Sequence, residues 1–383
     1  MLRRTTPAAR LLAPVLLALL AGTRPAVAQS GYVQTNLVSD VPGLAATLDP
    51  QLKNSWGMSF SPAGPFWVSN AGTGTSTLYN GAGTKLGLVV NIPGPGGGVP
   101  GVPTGQTFNT TGAFALPNGA NANFLFAGAT GTISAWNGAA GTTAVTVVNG
   151  FPSSSYTGIA VSGSGATARL YAANFGAGRV DVFDGAFNPV AGGFTDANVP
   201  AGYVPYNVQN VGGSIIVTYA LKDPTTGQEV VGAGNGYVDV YDTSGALVRR
   251  LASGGALDAP WGMALAPAGF GRFGGDLLIG NFGDGTINAF DPTTGAALGA
   301  LLGTDGRPLV NEGLWGIAFG NGGAAGSPDA LYFAAGINDE ADGLFGRITA
   351  TPEPGSLALM AAGVGLLAVV GARRARRDAA GMG

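Results

Sequence analysis

A unit of about fifty residues recurs six times along this chain, and no other feature limits the fold so sharply. Each copy has an aliphatic or aromatic stretch, a Gly/Asn turn and a second stretch that usually ends in Asp or Asn. The first three copies read Phe66–Asn70 with Ser76–Asn80, Phe124–Ala127 with Thr132–Asn137, and Leu170–Asn174 with Arg179–Asp184. The next three read Ile216–Tyr219 with Tyr237–Asp242, Leu277–Asn281 with Thr286–Asp291, and Leu331–Ala334 with Leu344–Ile348. The closing residues Asn80, Asn137, Asp184, Asp242 and Asp291 lie 57, 47, 58 and 49 residues apart.

Most copies are preceded by a further short apolar stretch, as in Trp56-Gly57-Met58, Tyr156–Ala160, Trp261-Gly262-Met263 and Trp315-Gly316-Ile317. Three or four strands in fifty residues match one blade of a β-propeller. In Arg179–Phe183 and Tyr237–Tyr241 the valines alternate onto one face, as a strand packed between neighbouring blades requires. Glycines 72, 74, 176, 178, 283 and 285 fall in the connecting hairpins, where positive φ is expected. The period is too long for a β-helix, and six copies are too many for a sandwich. The sixth copy lacks an outer strand, which Tyr32–Val38 can supply, joining the two ends of the chain and removing an exposed edge. The expected fold is all-β, a six-bladed propeller with an N-terminal strand closing its last blade.

Composition removes several functions. The 383 residues contain no histidine and no cysteine, which excludes Ser-His-Asp and Cys-His catalysis, the usual zinc sites and disulfides. Chemistry would fall to carboxylates, lysine, tyrosine or a calcium ion. Residues 29–351 hold 10 of 18 Lys+Arg and 19 of 21 Asp+Glu, a net charge of 10 − 19 = −9, so nucleic acid is not an expected partner. Glycine, at 68 residues, follows no three-residue period, which excludes collagen.

Both ends read as targeting segments. Arg3, Arg4 and Arg10 precede the apolar stretch Leu11–Ala21, and Ala26-Val27-Ala28 supplies the small residues of a signal-peptidase site before Gln29. Residues 1–28 are therefore expected to be a secretory signal peptide. At the other end Pro352-Glu353-Pro354 leads into 17 uncharged residues, Ser356–Ala372, followed by Arg373, Arg374, Arg376 and Arg377. As a helix this segment is about 25 Å long, just enough to span a bilayer with the arginines on the cytoplasmic side. Residues 351–383 resemble the PEP-CTERM sorting signal of exported bacterial proteins. That resemblance implies a membrane exosortase as partner and recognition at Pro352, Glu353 and Pro354. It also implies transient residence in the inner membrane through the hydrophobic helix, and delivery to the cell surface or beyond it. The propeller is expected to occupy residues 29–350.

Candidate ligand-binding residues come from the innermost strands and their approaches, which line a propeller's channel: Asn54, Asn207 and Glu312, to which Asn281, at the end of a second strand, adds a further possible ligand. Lys222 and Asp223 open an insertion in the fourth copy, Lys222–Gly234, long enough to overhang the channel mouth. Asn338, Asp339, Glu340 and Asp342 form the densest polar stretch, whose carboxylates need a cation, hydrogen-bond donors or solvent. Oxygen ligands of this type suit Ca²⁺, although their spacing is not that of an EF-hand loop. The repeated Trp-Gly pairs read first as packing between blades and only second as sugar-stacking platforms. Tyr32–Asp40, Trp56-Gly57-Met58, Gly64–Asn70 and Ile337–Arg347 together resemble a family of exported bacterial propeller proteins without an established activity. The expected function is a non-enzymatic surface or matrix module whose partner is an extracellular polysaccharide or another surface protein. Six-bladed propellers with a central metal held by Glu and Asn or Asp are a known enzyme type. Resemblance to those implies the alternative, a calcium-dependent hydrolase or lactonase using Glu312, Asn54, Asn207 and Asn281.

Overall fold

The computed structural model describes residues 31–351 except residue 99, and they form a six-bladed β-propeller. Blade one holds strands Ser55–Ser59, Phe66–Asn70, Thr75–Tyr79 and Lys85–Asn91, and blade two holds Pro103–Phe108, Phe124–Gly128, Thr132–Trp136 and Val145–Asn149. Blade three follows with Tyr156–Ser162, Arg169–Asn174, Arg179–Asp184 and Pro189–Val190, and blade four with Tyr203–Val211, Ser214–Leu221, Tyr237–Tyr241 and Leu247–Ser253. Blade five contains Pro260–Leu265, Leu277–Asn281, Ile287–Phe290 and Ala297–Ala300. Strands in each blade run antiparallel from the channel outward. The innermost strands contact one another in sequence order, and Leu314–Phe319 returns to Ser55–Ser59 to close the circle.

Blade six is completed by the N-terminal strand. Leu314–Phe319, Ala330–Ile337 and Asp342–Ala350 come from the end of the domain, and Tyr32–Ser39 pairs antiparallel with Asp342–Ala350 from Tyr32 opposite Ala350 to Ser39 opposite Leu344. A two-residue strand, Thr47–Leu48, then pairs in parallel outside it, an addition the sequence does not announce. The clasp is anchored by its side chains. Tyr32 lies 4.8 Å from Phe270, gives its hydroxyl to the Phe270 carbonyl at 3.1 Å, and joins the apolar core between blades five and six.

Two repeat features find a physical cause. The closing Asp or Asn of each copy folds back on its own turn: Asp242 accepts from the Ser244 and Ala246 amides, Asp184 from Ala186 and Asn188, and Asn80 from Ala82 and Thr84. The hairpin glycine pairs divide their work, and positive φ falls to the second member of each. Gly74, Gly178 and Gly285 are left-handed at φ 68°, 71° and 69°, whereas Gly72, Gly176 and Gly283 have no such φ. The first member instead lies where a Cβ would collide with Lys53, Ser155 or Asp258, residues that lead into the innermost strand of the same blade. The expected signal peptide, residues 1–28, and the expected sorting segment, with Pro352, Glu353, Pro354, Arg373, Arg374, Arg376, Arg377 and the stretch 356–372, lie outside the described residues. Among the described residues no helix is long and apolar enough to cross a membrane.

Candidate functional site

The innermost strands approach so closely that glycine is the residue that fits. A Cβ on Gly57 would meet the Thr104 carbonyl oxygen at 2.6 Å, one on Gly262 the Trp315 oxygen at 2.5 Å, and one on Gly316 the Trp56 oxygen at 2.8 Å. Gly105 and Gly158 hold the same position in blades two and three, against Gly158 and Asn207. Blade four carries Asn207 instead, whose amide donates to the Trp261 carbonyl at 2.7 Å. Of the residues before these positions, Trp56, Tyr206, Trp261 and Trp315 gather in one cluster at one end of the channel. There Trp56 stacks on Trp315 at 3.6 Å, Trp261 and Tyr206 lie 5.9 and 5.8 Å from Trp315, and Phe282 covers it at 4.1 Å. The tryptophans fill this part of the channel and are nearly inaccessible, Trp315 at 1% exposure, and they meet one another across the channel rather than between neighbouring blades.

Beside this aromatic plug lie two half-buried carboxyl groups. Glu340 sits in the hairpin between the second and third strands of blade six, where Asn338, Asp339 and Glu340 all adopt left-handed backbone, φ 55°, 54° and 63°. That turn carries Glu340 inward, where it accepts from the Asn54 side-chain amide at 3.2 Å. Glu229 arrives from the blade-four insertion, its backbone bridged to Lys222. Burial raises both carboxyls above their ordinary range, and Glu340 is raised further by the nearby Glu229. The Tyr206 hydroxyl, the Trp56 and Trp315 indole N–H groups and Asn54 Oδ1 are buried without a hydrogen-bond partner of good geometry. Neither carboxyl forms an ion pair among the described residues.

On the opposite side of the plug the channel opens into a cavity of about 510 Å³. Its walls carry amides and hydroxyls from Ser59, Gln106, Thr107 and Asn210, with Phe60 and Phe108 among them, and no ionisable side chain. Gln106 donates to the Gly57 and Trp67 carbonyls at 2.8 Å each, which leaves its Oε1 buried and unpartnered; the Ser59 hydroxyl is unpartnered too. The volume and the mixed neutral lining are those of a small-molecule site.

The residues expected to bind ligand are thus dispersed. Asn54 and Glu340 meet at the plug, and Lys222 stands on its rim, donating to the Phe175 and Gly176 carbonyls at 3.1 and 2.7 Å. Asp223 accepts from Thr225 and Thr226 within its own turn, and Asn281 donates to the Ala256 carbonyl at 2.8 Å. Glu312 accepts from the Asp339 amide at 3.0 Å and lines a lateral cleft of about 390 Å³ beside the clasp. The stretch Asn338–Asp342 is pulled apart as well. Asp342 accepts from Asn338 at 2.8 Å and pairs with Lys53 at 3.7 Å, Lys53 also reaching Asp40 at 3.2 Å. Among the described residues no group of three or more Asp or Glu side chains is placed to hold a metal ion. Glu229, Tyr206, Phe175 and Phe282 were not singled out in the sequence. Phe175 and Phe282 belong to blades three and five and Tyr206 and Glu229 to blade four, and only the closed ring brings them together.

Comparison with known proteins supports this architecture. Residues 350–377 match the PEP-CTERM protein-sorting motif, which implies processing by an exosortase-like membrane enzyme and sorting to the cell surface. "Uncharacterized protein R648" of Acanthamoeba polyphaga mimivirus is 34% identical over 330 residues, covering 82% of this chain and 78% of that protein. "Uncharacterized protein L690" of the same virus is 34% identical over 350 residues, covering 85% and 87%. Among solved structures, a streptogramin B lyase superposes with a TM-score of 0.50 over 84% of this chain and 98% of its own, at 11% identity, a likeness of fold alone.

Proposed function

We propose a role for a chain that belongs to the same family as the mimivirus proteins R648 and L690: it is an exosortase-sorted surface propeller that retains an uncharged, hydroxyl-rich ligand in its central channel. The ligand class is a segment of extracellular polysaccharide. One observation carries this reading. The 510 Å³ cavity is walled by neutral amides, hydroxyls and aromatic rings, with the buried Gln106 Oε1 awaiting a donor. Sugars offer many hydroxyl donors and apolar faces, which such a lining satisfies, and an unmet buried acceptor costs about 1–3 kcal/mol that a ligand hydroxyl can recover. Absence of acid, base or cation from the cavity wall supports retention without turnover there.

The residues of the calcium-dependent alternative offer it less support, because Asn207 and Asn281 direct their amides to backbone carbonyls and Glu312 faces the lateral cleft. Binding to purified surface polysaccharide, followed by calorimetry, tests the proposal. Ser59→Phe, which fills the cavity from its wall, is expected to weaken binding at least about tenfold without releasing fragments. Unchanged binding in that variant, or fragments released by the native protein, would overturn it. In cells, Glu353→Ala is expected to leave an unprocessed precursor in the inner membrane.

A further inference from the structure

The channel cavity opens at one end only. Its wall is the ring of six innermost strands, and every junction between neighbouring blades is closed by direct contact. A Cβ on Gly57, Gly262 or Gly316 would meet a carbonyl oxygen of the next blade at 2.8 Å or less, and one on Gly105 or Gly158 would meet the next strand at 2.9 Å or less. The remaining junction, between blades four and five, is bridged by the Asn207 amide on the Trp261 carbonyl at 2.7 Å. No lateral gap is left for a ligand to pass between strands at this level.

The floor is closed as well. Gly105, Gly262 and Gly316 line the cavity where it meets the aromatic plug, and there Trp315 is sandwiched between Trp56 at 3.6 Å and Phe282 at 4.1 Å. Rings stacked at these distances leave no passage for a sugar. At the other end, three residues beyond the junction positions, Phe60, Phe108 and Asn210 line the mouth and are partly or fully exposed. Phe60 and Phe108 stand edge-on against Phe66 and Phe124 at 5.2 and 5.3 Å, which braces the mouth on two adjacent blades.

A closed ring with a closed floor limits how a polymer can enter. An internal unit would have to bring two continuing chains through one mouth, whereas a terminal unit brings one. The volume, about 510 Å³, is in the range of sites for single small molecules, which suits a chain end better than a polymer doubled back on itself. A terminal sugar also ends in a free hydroxyl, able to donate and accept, where an internal one carries a glycosidic oxygen that only accepts. The amides and hydroxyls of the wall can meet both functions of that hydroxyl.

Building on the polysaccharide proposed as ligand, we infer that the cavity takes the polymer end first and binds its terminal sugar, at an end of the main chain or of a branch, and no internal stretch. Reducing and non-reducing ends share this chemistry, and the experiment separates them.

The test uses the full chain in detergent and surface polysaccharide in two forms of equal mass, intact and shortened by brief acid hydrolysis, with the ends in each counted chemically. Calorimetry is expected to give binding sites per gram that rise in proportion to the ends, doubling when the ends double, at unchanged affinity per end. Folded Ser59→Phe is expected to lose these sites in both forms. Borohydride, which opens the sugar ring at the reducing end, abolishes binding if that end is the one held and leaves it intact if the non-reducing ends and branch tips are held. Sites per gram that stay constant as the ends multiply would overturn the inference while leaving polysaccharide as the ligand, and this count decides even if the variant fails to fold. Undiminished binding of ends by folded Ser59→Phe would also overturn it, because the ends would then bind outside the cavity. Absence of binding by either form would remove polysaccharide as the ligand, and end recognition with it.

Discussion

Glu340 depends on its local backbone more than on its neighbours in sequence. In the chain it belongs to an acidic run with Asp339 and Asp342, and as a run it suggests one shared cation. Three consecutive left-handed residues, a conformation non-glycine residues rarely adopt, send the three carboxyls in three directions. No composition rule signals such a turn, which is why the sequence reading keeps Glu340 with Asn338, Asp339 and Asp342 as one possible metal site. By contrast, Gly57, Gly262 and Gly316 were legible, because a tryptophan followed by glycine at the same place in three copies already points to tight packing. A pH prediction follows for the carboxyl pair. Burial raises Glu229 and Glu340 above the ordinary value of 4.5, so the folded protein holds protons that the unfolded chain releases. Stability they contribute below pH 4.5 is therefore lost as pH rises through the folded values. Glu340→Gln, which cannot ionise, is expected to gain in melting temperature relative to the native protein between pH 5 and pH 8. A difference that stays constant across that range would show that Glu340 is not held in its acid form.

At the scale of an element, the repeated Asp or Asn marked the ends of third strands correctly, but one repeat position serves two purposes. Asp242 is exposed and Asp184 and Asp291 are partly so; the Asn188 side chain, the Ser244 hydroxyl and the Thr294 amide respectively, with further amides of the same turns, hold the carboxyls of Asp184, Asp242 and Asp291 below their usual range. Asn137 is 3% exposed and reaches across blade two. It caps a short helical turn by accepting from the Ala140 amide at 3.2 Å and donates to Asn118, Ala120 and Asn121 at 3.1, 3.2 and 3.2 Å. The sequence hides that difference because the loop it clamps lies sixteen or more residues earlier, between the first two strands of the blade. Removing its side chain removes four partly buried hydrogen bonds together, at a cost of about 1–3 kcal/mol. Asn137→Ala is accordingly expected to lower the urea midpoint clearly, while Asn80→Ala, in an exposed turn, lowers it by about 1 kcal/mol or less in equivalent stability. Equal losses in the two variants would contradict the clamp.

Across the whole molecule, blade number and the closing strand were readable because a repeat counts itself and because the last copy is visibly short of one strand. The channel's contents were not readable, since each blade contributes only one or two side chains and their meeting depends on closure of the ring. That closure rests on Tyr32–Ser39. Its last link holds the ends of the described chain together: Gly31 donates to the Thr351 hydroxyl at 2.9 Å and accepts from it at 2.8 Å. Without the strand, Asp342–Ala350 would present an unpaired edge, and the core containing Phe270 and Phe273 would lose the ring that covers it. Two variants separate these effects. Tyr32→Ala keeps the edge paired but empties its place in the core, so it is expected to remain monomeric and to lose about 3–5 kcal/mol in chemical unfolding. A chain lacking residues 31–39 is expected to associate through the open edge, seen as higher oligomers in size exclusion. A synthetic peptide of residues 31–40, added during refolding, should occupy that edge and restore the monomer. If the shortened chain stayed monomeric and folded without the peptide, the ring would be closed by contacts between the innermost strands alone, and the clasp would be an ornament of blade six.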